Sequence, residues 1–132
     1  MSDRLLLQAR RLGLDQNVRP NEIILIIGDL ARWNAQGRTA VSYENFQFSD
    51  FGALTAPMFT EVSPIMVLSP LVADGFDVID IAIRLAELKY TGRYRAIAED
   101  LPNGNMIRKE VRAHAPDLDF DLLMMSPIAN DG

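Results

Sequence analysis

The sequence predicts a three-layer α/β domain with about five strands in a doubly wound parallel sheet. Short apolar runs rich in β-branched residues alternate with segments whose apolar residues recur at helical spacing, a pattern typical of βαβ units. The runs are apolar at successive positions, as expected for strands that are covered on both faces. The chain of 132 residues contains no repeat or linker that would divide it, so we expect residues 1–132 to form a single domain.

Residues 1–19 are predicted to form a helical extension before the first strand. Leu5, Ala9 and Leu12 lie at helical spacing, and Gly13 ends the run. The elements that follow are a strand at 22–27, a short helix at 30–36 and a strand at 39–46. An alternative register, which we leave open, takes residues 4–8 as the first strand.

The middle of the chain predicts a helix within residues 51–62, ended by Ser63 and Pro64, and a strand at 65–68. The next helix carries a broad apolar stripe: Ile79, Ala82, Ile83, Leu85, Ala86 and Leu88. We expect Asp77 to cap this helix, with Asp80 in its first turn. Capping is favoured over a metal cluster formed by these two residues and Asp74.

The last third of the chain predicts two more strands, at 94–98 and 120–125, on either side of a helix at 105–113. In that helix Met106, Ile107 and Val111 are expected to face inward. Residues 129–132 form a tail. The order of elements is thus complete for a five-stranded α/β sheet.

Four segments resemble the CheY-like receiver domain of two-component response regulators, over roughly residues 22–128. The first strand ends in Gly28-Asp29, where receivers carry acidic ligands for Mg²⁺. Residues 70–77 are similar to the family's phospho-acceptor Asp and the loop that follows it, and residues 85–92 to the helix end and turn before its fourth strand. Residues 123–128 resemble the closing strand with its Lys-Pro dipeptide. The resemblance implies a flavodoxin-like, CheY-like fold.

The groups that phosphorylation requires are mostly missing from this receiver-like site. A receiver uses an Asp nucleophile, acidic ligands for Mg²⁺, a hydroxyl residue and a Lys that pairs with the phosphoryl group. Here Pro70, or Ser69 if the register slips by one, replaces the acceptor, Ala98 replaces the hydroxyl residue and Ser126 replaces the Lys. Asp29 is the one candidate ligand for Mg²⁺. We therefore expect a degenerate receiver, or pseudo-receiver, without a metal or cofactor.

Receivers also end with a helix that covers one face of the sheet, which this sequence lacks after residue 128. A parallel sheet with such a face exposed would present a large apolar patch. We expect the helix at residues 2–12 to replace the missing one, on its own subunit or on that of a partner.

Composition limits the functions further. The chain has no cysteine, which excludes thiol chemistry and disulfides and favours a reducing compartment such as the cytoplasm. Thirteen basic against eighteen acidic residues give a net charge of −5, which repels nucleic acids and anionic membranes. The longest apolar stretch, residues 23–27, is too short to span a bilayer.

Three classes of function remain after these exclusions. The first is a signalling or interaction module that is not phosphorylated and that binds itself as a homodimer, or binds a signalling protein. The second is a small-ligand sensor that uses the carboxyl edge of the sheet. The third is an enzyme, which we do not expect, because the carboxylates and serines at this edge have no base to activate them.

Overall fold

The computed structural model describes residues 22–28, 45–73, 76–99 and 104–125. These contain the strands β1 (Ile24–Ile27), β2 (Phe46–Ser49), β3 (Met66–Pro70), β4 (Val72–Ala73), β5 (Phe76–Asp77), β6 (Arg93–Glu99) and β7 (Asp119–Met125). They also contain the helices α1 (Ala56–Val62), α2 (Val78–Glu87) and α3 (Gly104–His114), and a 3-10 helix at Phe51–Ala53 before α1.

Five of the strands form one sheet in the order β2-β1-β3-β6-β7, and all four pairings between them are parallel. The prediction of an α/β domain with a parallel sheet of about five strands is confirmed. β1 lies between β2 and β3, and its four residues have no exposed surface. A strand covered on both faces requires apolar residues at every position, which explains the run that predicted it. The alternative first strand, at residues 4–8, lies outside the described residues.

Buried side chains form a cluster on each face of the sheet. On one face, residues of β1, β3, β6 and β7 pack against α2 and α3; this first cluster includes Leu25, Ile27, Val67, Tyr94, Ala96, Leu122, Ile81, Ala82, Leu85 and Val111. The second cluster, on the opposite face, consists of Ile24, Ile26, Phe46, Met66, Leu68 and Ile97. None of the three described helices contributes to the second cluster, although its residues are at most 6% exposed. The helix at residues 2–12, which is expected to cover a face of the sheet, and the helix expected at residues 30–36 both lie outside the described part of the chain.

The buried stripe of α2 is narrower than the sequence predicts. Val78, Ile81, Ala82 and Leu85 are buried, whereas Ile83 is 36% exposed and Ala86 faces solvent. The buried positions recur at intervals of three and four, so they form one stripe along the helix. The prediction that the stripe facing the sheet includes Ile83 and Ala86 is therefore wrong, since at about 100° per residue they lie about 150° and about 90° around the helix from the centre of the buried stripe.

A similar correction applies to α3. Val111 is 1% exposed and Ile107 packs against the first cluster, as predicted, but Met106 is 64% exposed. Ile107, Val111 and Ala115 are spaced four residues apart and face the sheet together. At about 100° per residue, Met106 lies about 140° around the helix from the centre of this line, so it faces away from the sheet.

Helix boundaries follow the local signals in the sequence. Pro57 lies in the first turn of α1, and the helix ends where Ser63 adopts a left-handed backbone conformation with φ of 47° before Pro64. At the start of α2, Asp77 Oδ1 accepts hydrogen bonds from the backbone N–H groups of Ile79 and Asp80, both at 3.0 Å. Asp80 Oδ2 accepts the N–H of Asp77 in return, which completes a capping box. The capping role of Asp77 is confirmed.

Two strand predictions require adjustment. β2 begins at Phe46 and runs to Ser49, beyond the predicted end at residue 46, because its register is set by pairing with β1 from Ile24 opposite Phe46 to Ile27 opposite Ser49. Residues 70–77, predicted as a loop, contain the antiparallel pair β4–β5. A pair of two-residue strands has too few positions to show the alternation by which strands are identified.

Gly92 is a position where a side chain would disturb the fold. A Cβ atom there would overlap the ring and hydroxyl group of Tyr90 and lie 3.0 Å from the carbonyl oxygen of Ile65. The Tyr90 hydroxyl donates a hydrogen bond to the carbonyl of Pro64 at 3.0 Å, so the ring cannot move without losing it. We expect Gly92→Ala to lower the free energy of unfolding by about 1–3 kcal/mol, measured by urea denaturation.

Gly52 provides the matched control for this substitution. A Cβ atom at Gly52 would have no neighbour within 4 Å, so Gly52→Ala should change the free energy of unfolding by less than about 0.5 kcal/mol. Equal effects of the two substitutions would contradict the described packing around Gly92.

Candidate functional site

The predicted site lies at the carboxyl edge of the sheet, where β1, β3 and β6 end. Pro70 is the last residue of β3 and pairs with Ile97, so Ala98 lies one residue beyond the level of Pro70 on β6. Gly28 follows β1, two residues beyond the pair formed by Ile26 and Leu68. The structure therefore brings Pro70 and Ala98 to one edge, as predicted, with Gly28 at the end of the adjacent strand. Asp29 and Ser126 lie outside the described residues.

Ser69 does not contribute its hydroxyl group to this edge. It is fully buried, and its Oγ lies 2.8 Å from the carbonyl oxygen of Pro70 and 2.6 Å from the hydroxyl oxygen of Tyr94. A serine hydroxyl has one proton to donate. Because Ser69 donates that proton to Pro70, the Tyr94 hydroxyl must be the donor in the second bond. Both bonds are internal to the fold.

Tyr94 is the residue of this region that the sequence analysis missed. It is fully buried, and its ring packs in the first cluster with its centroid 5.2 Å from that of Phe120. Burial raises the pKa of the Tyr94 phenol above its usual value; the hydrogen bond with Ser69 opposes this rise, and the charge of Asp77 adds to it. The phenol is thus held in its protonated form, the form that donates to Ser69.

The two remaining described positions bring no reactive group to the edge. Pro70 has no N–H and no side-chain heteroatom, and the end of a strand is a place where a proline is tolerated. Ala98 is 6% exposed and carries only a methyl group. Neither side chain can act as a nucleophile, a general base or a metal ligand.

Two carboxylates beyond β3, those of Asp77 and Asp80, accept hydrogen bonds from backbone N–H groups. Asp77 and Asp80 are engaged in the capping box of α2, and the N–H of Val78 donates to the carbonyl of Leu71 at 2.9 Å. Asp74, the third member of the possible metal cluster, lies outside the described residues. Within the described ranges, no group of three or more His, Cys, Asp or Glu side chains is arranged to hold a metal ion.

Two ion pairs join β7 to its neighbours away from this edge. Asp119 accepts from Arg95 of β6, with Nη1 and Oδ1 3.2 Å apart, and Asp121 accepts from Arg108 of α3, with Nε and Oδ1 2.7 Å apart. The sequence analysis did not single out these four residues, because their partners are distant in sequence.

Among the described helices, none has the length and apolar character needed to cross a membrane. A comparison of the sequence with protein-family models found no match, and a comparison with curated proteins found no similar sequence.

Proposed function

We propose that this chain is a receiver-like interaction module of the cytoplasm that is not phosphorylated and that acts by binding a second copy of itself or a signalling protein. Support comes first from the strand order. The five parallel strands follow the order 2-1-3-4-5 when numbered along the chain, which is the order found in flavodoxin and CheY. The predicted degenerate site lies at the carboxyl edge of that sheet, where doubly wound folds bind their ligands.

The observation that carries the proposal is that the hydroxyl group of Ser69, near the end of β3, points to Tyr94 in the first cluster. Phosphoryl transfer requires a nucleophile that faces the incoming group, together with metal and cationic side chains that neutralise its charge. Ser69 is fully buried with both hydrogen bonds directed to Pro70 and Tyr94, and Pro70 itself has no group that could accept a phosphoryl. A slip of register by one residue therefore does not restore an acceptor.

A phosphorylation assay combined with a measurement of mass in solution tests the proposal. The chain is incubated with Mg²⁺ and either acetyl phosphate or beryllofluoride and then analysed by intact-mass spectrometry and light scattering. We expect no added phosphate and the same dimeric mass with and without these reagents, because the association does not depend on the site. A gain of one phosphate on an Asp, or a monomer at every concentration that becomes a dimer with beryllofluoride, would overturn the proposal.

The small-ligand sensor has less support from the described geometry. At the carboxyl edge, Pro70 and Ala98 offer no polar side chain, and the hydroxyl group of Ser69 is directed into the first cluster. Ligand sites of this kind use a few convergent polar groups to orient the ligand. The carboxyl edge supplies none of them from these three residues.

A further inference from the structure

The outer edge of the sheet at β7 is closed by local hydrogen bonds. Among the strands that the structure describes, β7 is the last in the sheet order and has β6 as its one neighbour. An edge strand presents a row of N–H and C=O groups that can pair with a strand of another chain. The residues of β7 at 122–125 are Leu-Leu-Met-Met, an uncharged apolar segment. Such a segment at an open edge favours strand addition.

Two backbone donors on this edge are occupied. The N–H of Phe120 donates to the carbonyl of Leu118 at 3.0 Å, and the N–H of Leu122 donates to Asp121 Oδ1 at 2.7 Å. Alternate N–H groups of a strand point to the same side, so those of Phe120 and Leu122 share one direction. The N–H of Arg93 is directed to Ile65 on the β3 side, so its neighbour Tyr94 faces β7. In a parallel ladder Tyr94, which lies opposite Phe120, bonds to residues 119 and 121, so the N–H groups of Phe120 and Leu122 point to the outer edge. An incoming strand would have to displace both local acceptors.

Arg108 holds the carboxylate of Asp121 in this position. Its Nε lies 2.7 Å from Asp121 Oδ1, the same oxygen that accepts the Leu122 N–H. The guanidinium is itself oriented by Asn105, whose Oδ1 accepts from Nη1 at 3.0 Å. Asp121 is thus anchored to α3 as well as to its own strand. The hydrogen bond from Arg108 is the main cause that lowers the pKa of Asp121, so the carboxylate stays ionised at neutral pH.

We propose that Asp121, held by Arg108, keeps the outer edge of β7 closed to strand addition by a second copy of this chain. A second copy is the natural occupant because it brings the same uncharged 122–125 segment, and two such segments can pair side by side. The proposal is independent of the interaction function above: a wild-type dimer would use a surface other than this edge. Failure of one proposal therefore leaves the other unaffected.

The test compares the solution masses of three single variants with that of the wild-type chain by analytical ultracentrifugation over a series of concentrations. Asp121→Ala removes the acceptor of the Leu122 N–H. Asp119→Ala removes another carboxylate of β7, which accepts from Arg95 of β6. Asp117→Ala removes an exposed charge in the turn before β7. We expect Asp121→Ala to at least double the mass relative to wild type, and the two controls to keep the wild-type mass. Association of none of the variants, or of all three alike, would overturn the proposal.

A second substitution distinguishes strand addition from association caused by unfolding. The N–H of Met124 lies in the same alternate series as those of Phe120 and Leu122, so it points to the outer edge. A proline removes that donor and is tolerated on an edge strand. We expect Met124→Pro in the Asp121→Ala background to restore the wild-type mass. If the double variant still associates, the two copies do not pair through the edge of β7, and the proposal is rejected.

Discussion

Replacing Leu85 with alanine is expected to lower the free energy of unfolding by about 2–5 kcal/mol, the range for removing a fully buried leucine side chain from a well-packed core. Leu85 has no exposed surface and packs in the first cluster between α2 and the sheet. The loss has two parts, the hydrophobic free energy of the deleted methyl groups and the cavity that remains. Urea denaturation monitored by circular dichroism measures the change.

Ile83 is the matched control on the same helix, because it is an aliphatic residue of the same size but is 36% exposed. Ile83→Ala should lower the free energy of unfolding by less than about 1 kcal/mol, as is usual for positions outside the core. The comparison tests which side of α2 faces the sheet. If Ile83→Ala proves as costly as Leu85→Ala, the orientation of α2 is wrong.

Ser69→Ala is the second substitution with a large expected effect, about 1–3 kcal/mol of unfolding free energy. The Tyr94 hydroxyl donates to Ser69 within an apolar cluster, so the variant leaves a buried donor without its acceptor. Tyr94→Phe should cost less, about 1 kcal/mol, because Ser69 keeps its bond to the carbonyl of Pro70. Both values come from denaturant titrations of the single variants.

The double variant Ser69→Ala with Tyr94→Phe completes a thermodynamic cycle. It removes both hydroxyl groups together, so no Tyr94 hydroxyl is left without its acceptor, and the cost of the double variant should be smaller than the sum of the single costs. Simple additivity of the two single effects would show that the hydroxyl groups do not interact. Coupling of the two effects would show that the hydroxyl groups of Ser69 and Tyr94 interact in the folded core.

The parts of the fold that the sequence predicts correctly depend on neighbouring residues. The apolar run of β1 requires burial on both faces, and Asp77 precedes its helix with Asp80 three residues later, a local capping signal. Both features follow from short-range chemistry. They are therefore visible in the sequence without knowledge of the partners that complete the structure.

The parts that the sequence does not predict depend on distant partners. α2 has apolar residues around much of its circumference, so the choice of Ile81 over Ile83 as a buried residue depends on where the sheet lies. The bond between Ser69 and Tyr94 joins two strands whose register fixes which residues are adjacent. No spacing within a single element could have identified either contact. The predicted roles of Asp29 and Ser126 stay predictions.

The position of β1 between β2 and β3 also has a consequence for the way the chain folds. Its ladder partners, β2 and β3, are both separated from it by long stretches of sequence, since Ile24 pairs with Phe46 on one side and Met66 on the other. None of these hydrogen bonds can form until a long loop has closed, and loop closure costs conformational entropy before any contact compensates for it. Chains dominated by such non-local pairing fold slowly for their size. The hydrogen bonds on both sides of β1 therefore form only when distant parts of the chain have come together.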